Sequence, residues 1–339
     1  LYRLVGSEMC IRDRILIMNS RTKGIVLISI LLIVLLLSSV AVLFGNKYFL
    51  SLKRAEYIEF QTLSLNIFRN IEALSKEKIE KELKFNRSKI SKNNPILKDN
   101  FYFNLNGADI IGKISDASNC LNINSIVIIN EGEFVENENS IASIRKILSL
   151  NEVDNNVIEE IIDQTIDWID YDSNPRAYGL EDYYYSGPLH NPKEYTGMRL
   201  MVSIDELKSI PAVKQIDWTI IKKNFCAIPE ASQISLNINT LNLKDTYVLS
   251  SLFPNISLQE AEYILDNIPE SGFDDLINFK NNFPDMNFED AYGEIKFNSN
   301  IYEINTEIIF EDFVSSSTSK IIYEGNNNGF IISRIYNGI

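Results

Sequence analysis

The most regular pattern in the chain is an unbroken apolar run close to its start. Residues 25–44 are apolar except for three serines, and none of them is charged. At a rise of ~1.5 Å per residue, a helix of this length spans about 30 Å, the thickness of a bilayer core. The run therefore predicts a membrane-crossing helix. A basic stretch ending in Gly24 comes directly before it, so a cleavage site there would precede the apolar run, whereas a secretory signal is cut after it.

Helical spacing of apolar residues continues beyond the run. From Tyr57 to Leu74 they recur every three or four positions, with charged residues between them. This predicts one long helix from about Ile25 to Leu83, half in lipid and half packed on a domain. A polar cluster that ends at Pro95 closes it.

The rest of the chain alternates between strand and helix patterns. Strand-like segments cluster at both ends of the remaining sequence, with turn residues at Asn106-Gly107 and 326–329, and a helical block separates the two groups. This order predicts an α+β fold in which an all-α domain is inserted into an antiparallel sheet domain. The predicted strands are 100–105, 108–114, 126–131, 301–309, 320–324 and 330–336, and the helical block is 140–283.

Composition limits the partners. The formal charge is −14, and without the first 24 residues 27 basic and 44 acidic residues remain, a charge of −17. Such a field repels nucleic acid and anionic lipid and suits cation binding. The length of 339 residues predicts about two or three domains.

Residues 1–17 have the character of a non-native extension. The stretch from Glu8 to Arg14 resembles the translation of a sequencing adapter, which predicts that the gene begins at Met18. A genuine cytoplasmic extension is the alternative.

Setting Cys10 aside with this extension leaves Cys120 and Cys226 as an even pair. An even pair in a membrane-tethered acidic chain predicts an oxidising compartment and a disulfide. Two unrelated buried thiols are the alternative. The charges that flank the apolar run are nearly balanced and do not settle orientation. The short segment before the run and the cysteine pair both favour an extracytoplasmic body.

An acidic segment is the strongest candidate for chemistry. Counting from Asp170, acidic or amide residues stand at positions 1, 3, 5 and 12, the oxygen-ligand spacing of a twelve-residue calcium loop. Position 6 is Pro175 where an EF-hand requires glycine, so the segment is not an EF-hand. A solvated acidic loop is the alternative. The single histidine of the chain argues against zinc. The four matching residues are Asp170, Asp172, Asn174 and Glu181.

A helix-hairpin-helix-like unit covers residues 229–264, but it does not indicate nucleic-acid binding. Gripping phosphate requires glycines in its turn, and Asn255 and Ser257 stand there instead. Packing is the predicted role. Nucleophile elbows, phosphate-binding glycine loops and dinucleotide fingerprints are missing from the sequence, so an enzyme is not predicted. An envelope hydrolase using a carboxylate pair is the remaining enzymatic alternative.

Several motifs together resemble one family. Lys23-Gly24 followed by Ile25 resembles the prepilin-peptidase site of pilins and pseudopilins. Five further motifs occur in the order seen in the type II secretion system protein K family, over essentially Met18 to the C-terminus. These motifs are Asp116–Asn124, Asp167–Asp172, Gly179–Tyr184, Ser203–Leu207 and Leu236–Thr240.

The resemblance implies a fold, a metal and partners. It implies a long N-terminal helix, a pilin-like domain and a calcium-binding all-α insertion. It also implies a place at the tip of the pseudopilus, with the helix in the inner membrane, the body in the periplasm, and minor pseudopilins I and J as partners. Carried over by position, cleavage falls between Gly24 and Ile25, the calcium positions are Asp170, Asp172, Glu181 and Asp182, and the cysteine pair is Cys120 and Cys226. The family's usual segment before its Glu-Leu motif is reduced here to residues 191–198.

The domain boundaries follow from the patterns and the resemblance together. They are 1–17 for the adapter-like extension, 18–24 for the leader, 25–44 for the transmembrane part, 45–136 and 294–339 for the two parts of the pilin-like domain, and 137–293 for the insertion.

The fifth residue after Gly24 is Ser29, where related fibre-forming subunits carry a glutamate. That acid neutralises the N-terminal amine of an adjacent subunit within lipid, where an unpaired charge is costly. A subunit with nothing ahead of it has no amine to neutralise, so Ser29 favours a tip position. The rival interpretations are a minor pilin of a type IV pilus and a DNA-uptake protein.

Overall fold

A computed structural model describes residues 20–85, 88–105, 107–324 and 328–338. Residues 1–17 and the start of the predicted leader 18–24 lie outside the described residues, as do Asn106 and residues 326–327 of the two predicted turns. The chain divides into two units, Leu1–Phe60 and Gln61–Ile339.

The first unit consists, where it is described, of one helix. Helix α1 extends over Ser20–Phe85 and so continues into the second unit, and it passes through Gly45-Asn46 without a break. The predicted helix from Ile25 to Leu83 is thereby confirmed. The apolar side chains of residues 25–44 are all exposed. By length and composition, this part of α1 is able to cross a membrane.

The strands of the second unit are β1 Phe101–Leu105, β2 Ala108–Asp116, β3 Leu121–Asn122, β4 Val127–Asn130, β5 Glu133–Glu136, β6 Phe225–Cys226, β7 Ser235–Asn237, β8 Glu294–Lys296, β9 Ile301–Phe310, β10 Phe313–Glu324 and β11 Asn328–Asn337. Five of them form an antiparallel sheet in the order β1-β2-β9-β10-β11. β2 and β9 are neighbours although a long stretch of chain separates them, with Asp116 opposite Tyr302.

Two strand predictions differ from the structure. β10 begins at Phe313 and not at residue 320, because its first half is rich in serine and lacks the apolar alternation that predicts a strand. Ser315, Ser317 and Ser319 are nevertheless buried. The strand predicted at 126–131 corresponds to β4, which pairs with β5 in a separate hairpin and not with the main sheet.

The C-terminal part of α1 packs on this sheet. Ile67 and Ile71 are buried one turn apart on its inner face. The largely buried carboxylate of Glu72 accepts two hydrogen bonds, both 2.8 Å, from the guanidinium of Arg334 on β11. The hydroxyl of Tyr323 on β10 donates to the carbonyl of Lys76 at 3.2 Å. Helix and sheet are thus joined by both apolar and charge-assisted contacts.

The connection between β2 and β9 contains an extensive apolar core of its own, centred on residues such as Ile144, Ile166, Leu249 and Ile264. The predicted hairpin of two helices is present in this core, with its turn at residues 253–257. The helices after α1 are α2 Pro95–Lys98, α3 Glu138–Leu150, α4 Asn155–Ile169, α5 Asp182–Tyr185, α6 Trp218–Asn224, α7 Thr246–Leu252, α8 Leu258–Asp266 and α9 Leu276–Asn282.

Two Asn-x-Asn segments hold the connection between β2 and β9 in place with the same pattern of hydrogen bonds. In each, the first asparagine closes a local turn by accepting the backbone N–H two residues on, at Asn122 and Asn237. The second asparagine reaches a distant segment. The side chain of Asn239 accepts from the N–H of Phe273 at 2.6 Å and donates to its carbonyl at 2.9 Å. Asn124 pairs with the backbone of Met201 in the same way, with both distances 2.8 Å. Each buried amide therefore satisfies two backbone groups that lack a strand partner.

We expect Arg334→Ala to destabilise the protein by about 1–3 kcal/mol, because it leaves the Glu72 carboxylate buried without its two donors. Equilibrium chemical unfolding measures the change. The control is Lys81→Ala, which removes an exposed ion pair with Glu77 and should cost less than about 0.5 kcal/mol. Equal losses in the two variants would contradict the assigned role of the Arg334–Glu72 pair.

Candidate metal centre

The acidic segment lies between α4 and α5. The side chain of Asp154 caps the start of α4, and apolar residues at helical spacing bury its inner face. The helix ends at Ile169, and the extended backbone of its C-cap, Asp170, turns the chain away. A loop then leads to Glu181, the residue before α5. Both ends of the loop therefore carry a carboxylate held by the edge of a helix.

Three of the predicted ligands come together here. Oxygen atoms of Asp170, Asp172 and Glu181 all lie within 4.8 Å of one another. Asp170 is 6 % exposed and Glu181 only 2 %, while Asp172 is open to solvent. Asp170 Oδ1 and both carboxylate oxygens of Glu181 are buried without a hydrogen-bond partner. Such atoms are costly to leave unpaired, so they make this cluster a candidate position for a cation.

One cation from the chain neutralises part of this acidic group. Nη1 of Arg176 donates to Asp167 Oδ1 at 3.1 Å and to Asp170 Oδ2 at 3.0 Å. Its Nε and Nη2 reach Oε1 of Glu136, at the end of the β4–β5 hairpin, at 3.1 and 2.9 Å. Arg176 therefore binds one oxygen of Asp170 and leaves the other, Oδ1, without a hydrogen-bond partner.

Backbone contacts fix the loop against α4. The N–H of Arg176 donates to Asp167 Oδ2 at 3.2 Å, and the N–H of Tyr178 donates to Asp163 Oδ2 at 3.0 Å. A side chain at Gly179 would collide with Asp167, since its Cβ would stand 1.8 Å from Oδ2. Glycine is required here by this close approach. These contacts bring Glu181 to the end of α4.

Two other predicted ligands have different surroundings. Asp182 lies outside the three-residue cluster, and its Oδ1 accepts hydrogen bonds from the N–H and the hydroxyl of Thr196 at 2.7 and 2.8 Å. It therefore anchors the shortened segment 191–198 to α5. Asn174 is exposed, and its backbone N–H donates to Asp172 Oδ1 at 2.7 Å.

The remaining predicted positions lie elsewhere in the fold. Cys120 and Cys226 form a disulfide beside the parallel pair of β3 and β6, far along the chain from one another at a separation of 106 residues. Gly24 and Ile25 are exposed in the first turns of α1.

Burial and mutual repulsion disfavour the ionised form of the cluster. Burial, and after it the charges of Asp167 and Asp170, raise the pKa of Glu181 to about 7. Burial likewise raises the pKa of Asp170 to about 6, although Arg176 opposes this. The pKa of Asp167 is also raised by burial and lowered by Arg176.

The arrangement suits a hard divalent cation. Calcium takes six to eight oxygen ligands at about 2.3–2.6 Å, and three carboxylates whose oxygens are under 5 Å apart can converge on one such ion. Buried oxygens without donors and raised pKa values are the properties expected of carboxylates that converge on one cation. The residues present fit calcium.

Comparison with known proteins places the chain in a family. One sequence model of the type II secretion system protein K family matches residues 119–230, and a second sequence model of the same family matches residues 236–287. Protein K of Pectobacterium carotovorum subsp. carotovorum is 28 % identical over 267 residues, which cover 76 % of this chain and 78 % of the relative. The chain belongs to the type II secretion system protein K family.

Other members agree with this assignment. Protein K of Klebsiella pneumoniae is 24 % identical, with 77 % of this chain and 80 % of the relative covered. The fold resembles a chain in the crystal structure of the GspK-GspI-GspJ complex from enterotoxigenic Escherichia coli, with a TM-score of 0.71 and 19 % identity. That match covers 84 % of this chain and 99 % of the other. The predicted family and the predicted α+β fold are confirmed.

Membership defines the function at the family level. Protein K is a minor pseudopilin, a structural component of the type II secretion system. The matches do not favour the alternative of a minor pilin from a type IV pilus.

Arg176 is the functional residue that the sequence patterns did not single out. It is the only basic residue between Asp163 and Asp182. A lone cation within an acidic run is a usable signal, since buried carboxylates need a partner. Its contact with Glu136, which is 40 residues away in sequence, could not be inferred from spacing.

Without calcium, the chain should lose stability as the pH rises from about 4 to about 7. The folded-state pKa values of Asp170 and Glu181, about 6 and about 7, lie above the ordinary values of these groups. Their protonated forms stabilise the fold at low pH, and that contribution is lost as each group ionises. Thermal unfolding with a chelator present measures it.

The control for this pH dependence is Asp170→Asn, which removes one of the two ionisations and should reduce the fall. A thermal midpoint that rises through the same pH range, or a variant with the same slope as the wild type, would contradict the assigned electrostatics.

Proposed function

We propose that the chain is the tip subunit of the type II secretion pseudopilus. It is processed between Gly24 and Ile25 by prepilin peptidase, anchored in the inner membrane by α1, and exposes its body to the periplasm. Its partners are minor pseudopilins I and J, and it binds calcium as a structural ion. The likeness to a chain solved with GspI and GspJ, over 84 % of this chain, is the observation that carries the proposal.

The fifth residue of the processed chain supports the tip position. The hydroxyl of Ser29 donates to the carbonyl of Val26 at 2.8 Å, so its polar group is satisfied within the helix and needs nothing from a neighbour. A glutamate at this position would require a cation in lipid. The helical connection between β2 and β9 adds bulk to the sheet domain, which would hinder stacking of a further subunit above it.

The disulfide and the charge support a periplasmic body. A disulfide joins Cys120 to Cys226, and such bonds persist in oxidising compartments. The acidic charge repels nucleic acid, which argues against the DNA-uptake alternative.

Calcium has a structural task in this proposal. It would be held by Asp170, Asp172 and Glu181, and it would neutralise carboxylates that otherwise repel one another across the loop. Because these residues connect α4 to α5, binding would stabilise the folded loop.

We expect calcium in large excess over its dissociation constant to raise the thermal midpoint of the full chain by about 5–10 °C at neutral pH. Glu181→Gln should leave the calcium-free protein as stable as the wild type or more so, because a disfavoured charge is gone. The same substitution should remove most of the increase in thermal midpoint that calcium causes.

The matched control for this experiment is Glu262→Gln on α8, an exposed acid away from the cluster, which should keep the full calcium response. A wild-type midpoint that is the same with calcium and with chelator would refute the calcium proposal and leave the tip proposal standing.

The tip position predicts that residue 29 tolerates a neutral side chain but not an acidic one. In a strain that lacks the native copy, the wild-type chain and Ser29→Ala should restore export of secreted proteins, whereas Ser29→Glu should restore it poorly, because it buries a carboxylate with no amine ahead. Export is measured as the secreted fraction of a reporter exoprotein, and Edman sequencing of the membrane form should begin at Ile25.

Co-purification tests the partners in the same strains. The wild-type chain should be isolated from detergent extracts with minor pseudopilins I and J. Full export by Ser29→Glu would overturn the tip position, and a folded chain that never associates with I or J would overturn the partner assignment.

A further inference from the structure

The turn between α7 and α8 holds a positive charge in a cradle of carbonyl oxygens. Lys146 extends from α3 and directs its ammonium into this turn. Nζ donates to the carbonyls of Phe253 at 2.5 Å, Ile256 at 2.8 Å and Pro254 at 3.3 Å. An ammonium has three donors, and these three contacts use all of them.

The ammonium is held by dipoles and not by a carboxylate. Among the described residues, no ion pair involves Lys146. The acid whose charge acts on it is Glu260, whose carboxylate accepts hydrogen bonds from the hydroxyl and N–H of Ser257 at the start of α8. The carbonyls themselves therefore supply the attraction.

Three carbonyls on one short turn are a recognisable chemical arrangement. Converging backbone carbonyls replace the hydration shell of potassium, as in carbonyl-lined filters. An alkylammonium presents the same single charge to such oxygens at about 2.8 Å, the usual N–H···O distance. The turn is thus a site for a monovalent cation, and the chain supplies that cation itself.

We propose that the α7–α8 turn is a monovalent-cation site permanently filled by the Lys146 ammonium, and that it accepts potassium or ammonium ions once the side chain is removed. The inference rests on the geometry of Lys146 and the turn and is independent of the proposed function.

The surroundings explain why a tethered cation is useful here. The same helix is also joined to α7 by the Ser143 hydroxyl, which donates to the carbonyl of Ser251 at 2.9 Å. The Ser250 hydroxyl donates to the carbonyl of Ile256 at 2.8 Å, so this oxygen is shared by two donors. Leu252 and Phe253 are buried beside the turn. A cation fixed to α3 holds the hairpin against the core without drawing an ion from the medium.

The test is thermal unfolding of the full chain in detergent, with calcium held constant, in potassium, ammonium, lithium or choline chloride at equal ionic strength. Wild-type protein should unfold at the same temperature in all four salts. Lys146→Ala should lose about 5 °C or more in choline chloride and regain at least half of that loss in potassium or ammonium chloride.

Two further variants separate this effect from packing. Lys146→Met keeps an aliphatic side chain that blocks access to the three carbonyls but carries no charge. This variant should therefore be destabilised by the same amount in every salt. Lys208→Ala removes a surface lysine that lies 4.6 Å above the ring of Trp218, and its midpoint should not depend on the cation.

Two results would overturn the proposal. One is a Lys146→Ala midpoint that is equal in potassium, ammonium and choline chloride, and the other is the same potassium dependence in Lys208→Ala. Where Lys146→Ala does not fold in choline chloride, the yield of folded protein in potassium against choline chloride replaces the midpoint, and equal yields overturn it as well.

Discussion

The fold depends on the junction between β2 and β9, where the insertion leaves the sheet and rejoins it. A long, mostly helical stretch, which also contains the short strands β3 to β8, leaves the sheet at the end of β2 and returns at the start of the neighbouring strand β9. Its two ends must therefore be held side by side. The ladder continues one step past β2, where the N–H of Ala117 donates to the carbonyl of Ile301 at 3.0 Å. The carboxylate of Asp116 then accepts from the hydroxyls of Thr240 and Ser299. One acid thus joins the departing strand to the segment just before the returning strand and to the segment between β7 and α7 in the insertion.

The disulfide extends the same constraint into the insertion. Cys120 lies just after this junction, and its bond to Cys226 brings together positions 106 residues apart. A cross-link over so long a loop removes much of the freedom of the unfolded chain, which in the entropic account is worth about 2–5 kcal/mol. Cys226 and Ile228 also pack against Ile301 and Ile322 of the sheet. The bond therefore lies where insertion and sheet share their apolar contacts, and it supports both.

Much of this architecture can be predicted from the sequence, because it follows from the spacing of apolar residues. The long helix and the apolar edges of the sheet have patterns of period 3.6 and 2 that no tertiary contact has to override. The serine-rich half of β10 was missed because its place in the sheet comes from neighbours on both sides and not from its own side chains. At the candidate site, spacing identified Asp170, Asp172 and Glu181. It could not identify the contact between Arg176 and Glu136, since that depends on how a hairpin 40 residues earlier packs beside the loop.

The distribution of charge in the insertion makes the acidic cluster the candidate site for a cation from outside the chain. Lys146 satisfies its carbonyl cradle, and the guanidinium of Arg176 is divided among three acids. No donor remains for Glu181, whose two oxygens are buried without partners. Such a group must either take up a proton, which its raised pKa permits only up to about neutral pH, or bind a metal ion. α5 and the segment hydrogen-bonded to Asp182 follow Glu181 directly. Whether Glu181 binds a proton or a metal ion therefore affects the order of the whole stretch from α4 to Thr196. In the calcium-bound form that we propose, the order of this surface therefore depends on the medium, whereas the α7–α8 hairpin, with its cation built in, does not.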